Sequence, residues 1–485
     1  MADETRFTTK GILTCRQILC IMVITCFMVQ YMVRINMSIA IVEMVAKPSN
    51  LTLIHGGTFQ WDEHKKNDIL GWFYWGSLLT AIPGGRLSEI YGTRKVLGIA
   101  MLLASLLTIV TPFACYLHYY CILAVRTSLG LALGVSWPSI PPMAVKWVAP
   151  ADTSKFMGHT MACALGAALT LPVCGYIIAY LGWPSVFYIT GALALVWSIL
   201  WFYFVYDSPR QHPRISDTER ESIESEMDGQ ASSFGMKKKT PWLRILSSKP
   251  VWAIIVADIC IQFNTNIIMN ELPSYVDEVL HFNIKANGWL SSLPYFTTYA
   301  AAVIFTSVAD NWRKYGTFSL ITIRKLFTSI SFWVPNILYL IQVFWGYDRI
   351  VSILVFTLAQ GFLAASTAGV VSNSMDISPV YSGTIFGIAF TGGASTGYIS
   401  AKLVAFVVNG NTSFEQWRYI FLFLIGINLI GSVFYLIFAS AEVHDYSTRQ
   451  MNGVELRTLK SEAKYLDETT NLGVKHDLIA RDVLL

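Results

Sequence analysis

The chain has 485 residues, 54% of them apolar and 14% charged, with a formal net charge of +4 and a mean hydropathy of +0.49. That balance excludes an ordinary soluble globular domain and points to a chain embedded in a lipid bilayer, with no nucleic-acid partner.

Apolar runs of the ~20 residues a helix needs to cross the hydrocarbon core fall in chain order at 17–45, 69–90, 96–114, 119–143, 157–181, 186–206, 250–273, 288–309, 321–345, 350–373, 383–408 and 418–440. The expected fold class is therefore an all-α membrane protein with twelve transmembrane helices. A spanning segment must satisfy its own backbone hydrogen bonds, and nothing here alternates as a barrel strand would. The first run is too long for a signal peptide and lacks its cleavage pattern, so it reads as a retained helix. Arg16, Arg94, Lys95, Lys146, Lys155, Arg313, Lys314, Arg324 and Lys325 gather on one side, which the positive-inside rule makes cytosolic together with both termini. Asn50 and Asn411, each opening an Asn-x-Ser/Thr triplet, then lie outside as candidate glycosylation sites. Cys115 and Cys121 flank an outer loop, as a disulfide or as packing residues.

Between 207 and 249 the composition turns abruptly to charge, Ser and Pro. Ser216 followed by Glu219 resembles a capping box, with Ile223 and Met227 four apart, so this segment is either a short helix lying on the bundle or membrane, or a solvated connector. The expected layout is a cytosolic N-terminus (1–16), a six-helix bundle (17–206), a cytosolic linker (207–249), a second six-helix bundle (250–440) and a cytosolic tail (441–485). The bundles echo each other. "WPSVF" opens the sixth span and "WRYIF" the twelfth, while "GGRLSEIYGTRK" (84–95) and "SVADNWRKYG" (307–316) each follow the second span of their half.

Two pseudo-repeated halves joined by a linker are the pattern of a secondary transporter with a midplane site. The loop resembles the signature of the major facilitator superfamily: Gly85, Glu89 where the family has Asp, Gly92, Arg94 and Lys95, with Asp310, Arg313 and Lys314 as the second copy. Glycine permits close helix approach and a tight turn, and the charges can form a conformational latch that favours one access state. Within that superfamily the chain resembles the anion:cation symporters, which include sialin, the vesicular glutamate transporters and the type I sodium-phosphate cotransporters. The resemblance runs through "RINMSIAIVEMV" (34–45), "FYWGSLLTAIPGG" (73–85), "GVSWPSIPPMAVKW" (134–147), "PVWAIIVADI" (250–259) and "SMDISPVYSGTIFGI" (374–388).

Among residues within spans, Arg34 and Arg126 stand out, because Arg at a helix centre costs about 2.5–3.5 kcal/mol on insertion scales and usually faces a cavity or a partner. Their guanidinium forks suit carboxylate or phosphate, and the resemblance implies a substrate-related Arg at both positions. The alternatives are snorkelling for Arg126 and pairing with Glu271 or Asp258 for Arg34. Tyr74 and Asn264 are further substrate-binding candidates, and Asp258, Glu271 and Glu43 are candidates for carrying coupling charge. Where many relatives have Arg-x-x-x-Gly-x-x-Glu-Gly, this chain has Arg126, Gly130, Leu133 and Gly134. The glutamate that the family associates with proton coupling is absent, and Leu70 and Ile261 replace a His and an Arg of the vesicular glutamate transporters.

The expectation is a secondary active transporter of small anions, inorganic phosphate or an organic anion, working by sodium-coupled symport at the plasma membrane as a monomer. A proton-coupled lysosomal exporter of acidic sugars and a non-transporting nutrient receptor are the alternatives. No metal-ligand spacing or nucleophile–base constellation suggests an enzyme or a cofactor beyond the coupling ion, sodium or a proton.

Overall fold

The computed structural model describes residues 13–45, 59–61, 63–226, 240–280, 284–408 and 414–443. The N-terminal half contains α1 (Cys15–Val45), α2 (Glu63–Tyr91), α3 (Thr93–Leu117), α4 (Tyr119–Leu133) continued by α5 (Ser136–Trp147), α6 (Thr153–Gly158) continued by α7 (Ala162–Leu181), and α8 (Trp183–Phe204). Two short helices follow, α9 (Asp217–Glu226) and α10 (Trp242–Leu246). The C-terminal half contains α11 (Lys249–Glu278), α12 (Ile284–Lys314), α13 (Leu320–Trp345), α14 (Arg349–Leu363) continued by α15 (Val370–Ile377), α16 (Ser382–Val408) and α17 (Phe414–Phe438).

Counting the broken rods once, each half supplies six spans. Ten stretches among the described residues are long and apolar enough to cross a membrane on composition alone. The remaining two rods, α2 and α16, have 29 and 27 residues, about 40 Å each at 1.5 Å per residue. In α2 the charges cluster at the ends, from Glu63 to Asp68 and from Arg86 to Glu89.

Glycines set the closest helix approaches. Gly130 and Gly134 of span four, at small-xxx-small spacing, face the Phe73 and Ser77 backbone of α2, which any Cβ there would strike. That face carries Arg126 one turn earlier. Across the halves, a Cβ on Gly85 of α2 would collide with the Gly383 carbonyl of α16. Gly92 turns the chain between α2 and α3 at φ 90°, a region that favours glycine, and a Cβ there would meet the Asp207 carboxylate. This turn marks one end of the bundle, the latch face.

The linker's first segment is a docked helix. Ile223 is buried in the core of the N-terminal half, and Glu219 accepts the backbone N–H groups of Cys15 (3.2 Å) and Arg16 (3.0 Å) at the start of α1. Arg16 pairs with Glu226 at 2.7 Å, and the Ser216 hydroxyl accepts the Glu219 N–H at 3.2 Å. Met227 lies outside the described residues. Cys115 and Cys121 are free thiols, so the alternative of a disulfide between them is not realised.

Candidate functional site

Two arginines and a tyrosine meet inside the N-terminal half. Arg34 Nη2 donates to the Tyr74 hydroxyl at 2.9 Å, and its guanidinium lies 5.0, 5.4 and 4.9 Å from the ring centroids of Tyr31, Phe73 and Tyr74. Arg126 is 3% exposed. Its Nε donates to the Ile69 carbonyl at 3.2 Å, and its guanidinium stands 5.2 Å from the same Phe73 ring. Adjacent residues of α2 thus hold both arginines, Phe73 by its π-face and Tyr74 by its hydroxyl. Neither arginine has a carboxylate partner among the described residues. Asp258, one proposed partner for Arg34, makes no such contact, and the side chain of Glu271 lies outside the described residues. A buried cation, Arg126, beside a partly buried one, Arg34, with no counter-charge is costly, and an anion seated between them would lower that cost.

The C-terminal half closes this centre from the other side. Tyr295 of α12 is within electrostatic reach of Arg34 and Tyr74. A Cβ on Gly397 of α16 would stand 3.5 Å from the Tyr74 ring and 3.6 Å from Asn266 Nδ2, and Asn266 donates to the Thr396 hydroxyl at 3.0 Å. By helical rise, Arg34, Tyr74 and Asn266 all lie about 25–29 Å from the latch face, between the two halves. Asn264, two residues earlier, points elsewhere. It donates to Asn428 (2.6 Å) and to the Cys260 carbonyl (2.8 Å), and Asn428 donates to Asn336 (2.8 Å), an amide network that joins α11, α17 and α13 within one half.

The acidic candidates are dispersed. Glu43 is half-buried near the end of α1 remote from the latch face, while Asp258 is buried beside α16 with Oδ2 lacking any hydrogen-bond partner. Leu133 is buried in the core of its half, and its backbone carbonyl accepts from Gln30 at 3.4 Å. Asn50 and Asn411 lie outside the described residues.

At the latch face the repeated motifs, whose carboxylates stand in the last turns of α2 and α12, act across the halves as helix caps. Glu89, oriented by Arg86 at 2.8 Å, accepts the Thr384 N–H (2.6 Å) and hydroxyl (2.8 Å) at the start of α16. Its pseudo-symmetric counterpart Asp310 accepts the N–H groups of Ser154 (3.2 Å) and Lys155 (2.7 Å) at the start of α6. A carboxylate at a helix N-terminus satisfies orphan donors and the dipole together. Lys314 crosses to Asp152 at 2.7 Å. Arg94 and Arg313 stay within their own halves: Arg94 donates its N–H to Asp207 (2.8 Å) and its side chain to the Phe202 carbonyl, and Arg313 pairs with Asp376 (3.3 Å). Lys95 is exposed.

Arg324, placed by the sequence only among the inner-side charges, is 1% exposed and bonded to Asp376 (2.6 Å) and, across the halves, to Ser154 (2.8 Å). A basic residue four positions into an apolar run was its available signal. Tyr31, Phe73 and Tyr295 were missed because aromatic residues are common in such helices, whereas Asn266 is legible as one of the hydrogen-bonding amides of the seventh span.

A family model described as the Major Facilitator Superfamily matches residues 19–401. The chain belongs to that superfamily. Human sialin is 32% identical over 449 residues, covering 88% of this chain and 90% of sialin. Human vesicular glutamate transporter 2 is 34% identical over 438 residues, covering 88% and 74% respectively. Among solved structures, the proton:xylose symporter XylE superposes with a TM-score of 0.65 at 16% identity over 88% of this chain and 97% of XylE. FucP in its outward conformation gives 0.61 at 14%, over 87% and 99%. The solved structures show the facilitator fold, and the family match and curated relatives make the chain a multi-pass membrane transporter, not an enzyme.

Proposed function

We propose that the protein moves a small carboxylate or phosphate anion by alternating access, binding it between Arg34 and Arg126 with Tyr74 orienting the first and Tyr295 and Asn266 facing them from the other half. The observation that carries this reading is the pair of guanidinium groups, Arg126 buried and Arg34 partly buried, with no carboxylate partner among the described residues. The names of the relatives, sialin and vesicular glutamate transporters, support an organic anion as readily as phosphate. Transport is cation-coupled in this reading. Leu133 supports sodium by leaving no titratable group at its position, whereas the buried Asp258 supports a proton. The latch face is cytosolic and the plasma membrane is the first location to test, by surface labelling.

The deciding experiment is uptake of labelled phosphate, glutamate and sialate into proteoliposomes of the purified chain, with imposed sodium or pH gradients in separate arms. Concentrative uptake of one anion, lost in Arg126→Ala, is the expected result. Binding without flux would instead establish a receptor.

A further inference from the structure

α11 carries a polar stripe at one-turn spacing, Asp258, Gln262 and Asn266, which share a face. Glycines of α16 oppose it. A Cβ on Gly393 would run into Gln262 Cγ at 2.6 Å and Asp258 Oδ2 at 2.8 Å, and one on Gly397 would touch both Asn266 and Tyr74. The stripe therefore leads from the arginine centre about 12 Å toward the latch face, and Asp258 ends it.

Asp258 is 5% exposed, its Oδ2 has no hydrogen-bond partner, and no described residue forms an ion pair with it. The charged groups on the elements packed against α11 are turned elsewhere. On α16, Lys402 is nine residues beyond Gly393 and exposed. Asp376 on α15 is held by Arg324 and Arg313, and Asp310, Arg313 and Lys314 on α12 stand at the latch face. Glu415 and Arg418 lie at the far end of α17, Arg349 at the far end of α14, and Arg244 on the short α10. Cys260 is the titratable group in electrostatic contact. An isolated ionised carboxylate in such a place is so unfavourable that the group takes up a proton instead. A hard cation would ask for about six oxygen ligands, whereas the Gly393 face brings one amide.

We propose that Asp258 is a proton-binding site and that its protonation couples a proton to transport, a role that position 133 cannot fill in this chain. The proton adds to a carboxylate oxygen while α16 covers it, and passes to water when α16 moves away with the opening of the Glu89 latch. Proton binding at Asp258 stands alone; its coupling to flux rests on the anion-carrier reading.

Two measurements separate these parts. In infrared difference spectra of the full-length protein in lipid, stepped from alkaline to acid pH without any anion, a protonated-carboxyl carbonyl band should appear, vanish in Asp258→Asn and return in Asp258→Glu. The same band in Asp258→Asn would overturn the site. In proteoliposomes offered phosphate, glutamate or sialate, pH-driven accumulation should be lost in Asp258→Asn and restored in Asp258→Glu. Accumulation driven by sodium alone, or unchanged in Asp258→Asn, would overturn the coupling. Absence of wild-type flux for all three anions with the band intact would overturn the carrier reading and leave the proton site standing.

Discussion

In the N-terminal half the cations stand mid-span, where the partly buried Arg34 and the buried Arg126 have an aromatic ring and a hydroxyl for company but no described carboxylate. In the C-terminal half the buried cation is Arg324 at the latch face, neutralised by Asp376 at 2.6 Å, and the middle of the half is left to the amides Asn264, Asn266, Asn336 and Asn428. The halves share a fold and reciprocal helix caps yet use their cations oppositely. A paired buried charge fixes one arrangement of helices, whereas an unpaired one has bonding capacity to offer a ligand.

The largest effect that could break this contrast is expected at Arg324. Arg324→Ala leaves Asp376 buried with only Arg313 beside it and should cost about 3–5 kcal/mol, read as a large fall in thermal stability in detergent. A stable variant with normal uptake would show that Arg324 is not a structural charge. Arg34→Ala and Arg126→Ala should do the reverse, lowering uptake by about a hundredfold through lost charge-assisted bonds worth roughly 1.5–3 kcal/mol each, with folding and expression retained. Lysine at either position should recover only part of the activity, because it lacks the fork.

A smaller effect tests the shared feature. Glu89→Gln and Asp310→Asn each remove the charge from a cross-half cap, and each should shift the population toward an open latch face by about tenfold. Distances between spin labels at Tyr91 and Tyr315, exposed residues on opposite halves, would report it, and an effect from only one of the two would break the symmetry. The smallest expected effect is in the linker. Burial lowers the His212 pKa from its ordinary 6.5, so the undocked segment takes up a proton first as pH falls through that value, and docking weakens on the acid side. Amide exchange over residues 205–226 should rise there, and His212→Asn should remove the pH dependence.

Much of this was legible in the chain. Twelve apolar runs, the charged linker and the two loop copies depend on composition and spacing, which survive any detail of packing. Glu89 and Asp310 could be found from the repeat, but not what they touch, since their partners are backbone donors some 150–300 positions away in sequence. Asn264 and Asn266 show the limit most plainly. Both are amides in one apolar helix, and only the positions of α16 and α17 decide that Asn266 meets Thr396 and Gly397 beside Tyr74 while Asn264 meets Asn428.

The two latch carboxylates dock chiefly on main-chain N–H groups. Every residue except proline presents that donor, so substitution at position 155 leaves its bond in place and substitution at 154 or 384 forfeits only the side-chain bonds to Arg324 and Glu89, while positions 89 and 310 lose the cap itself. Related sequences should therefore show constraint on one side of each contact and little covariation across it, and contact inference from paired substitutions should pass over the two joints that hold this face of the molecule shut.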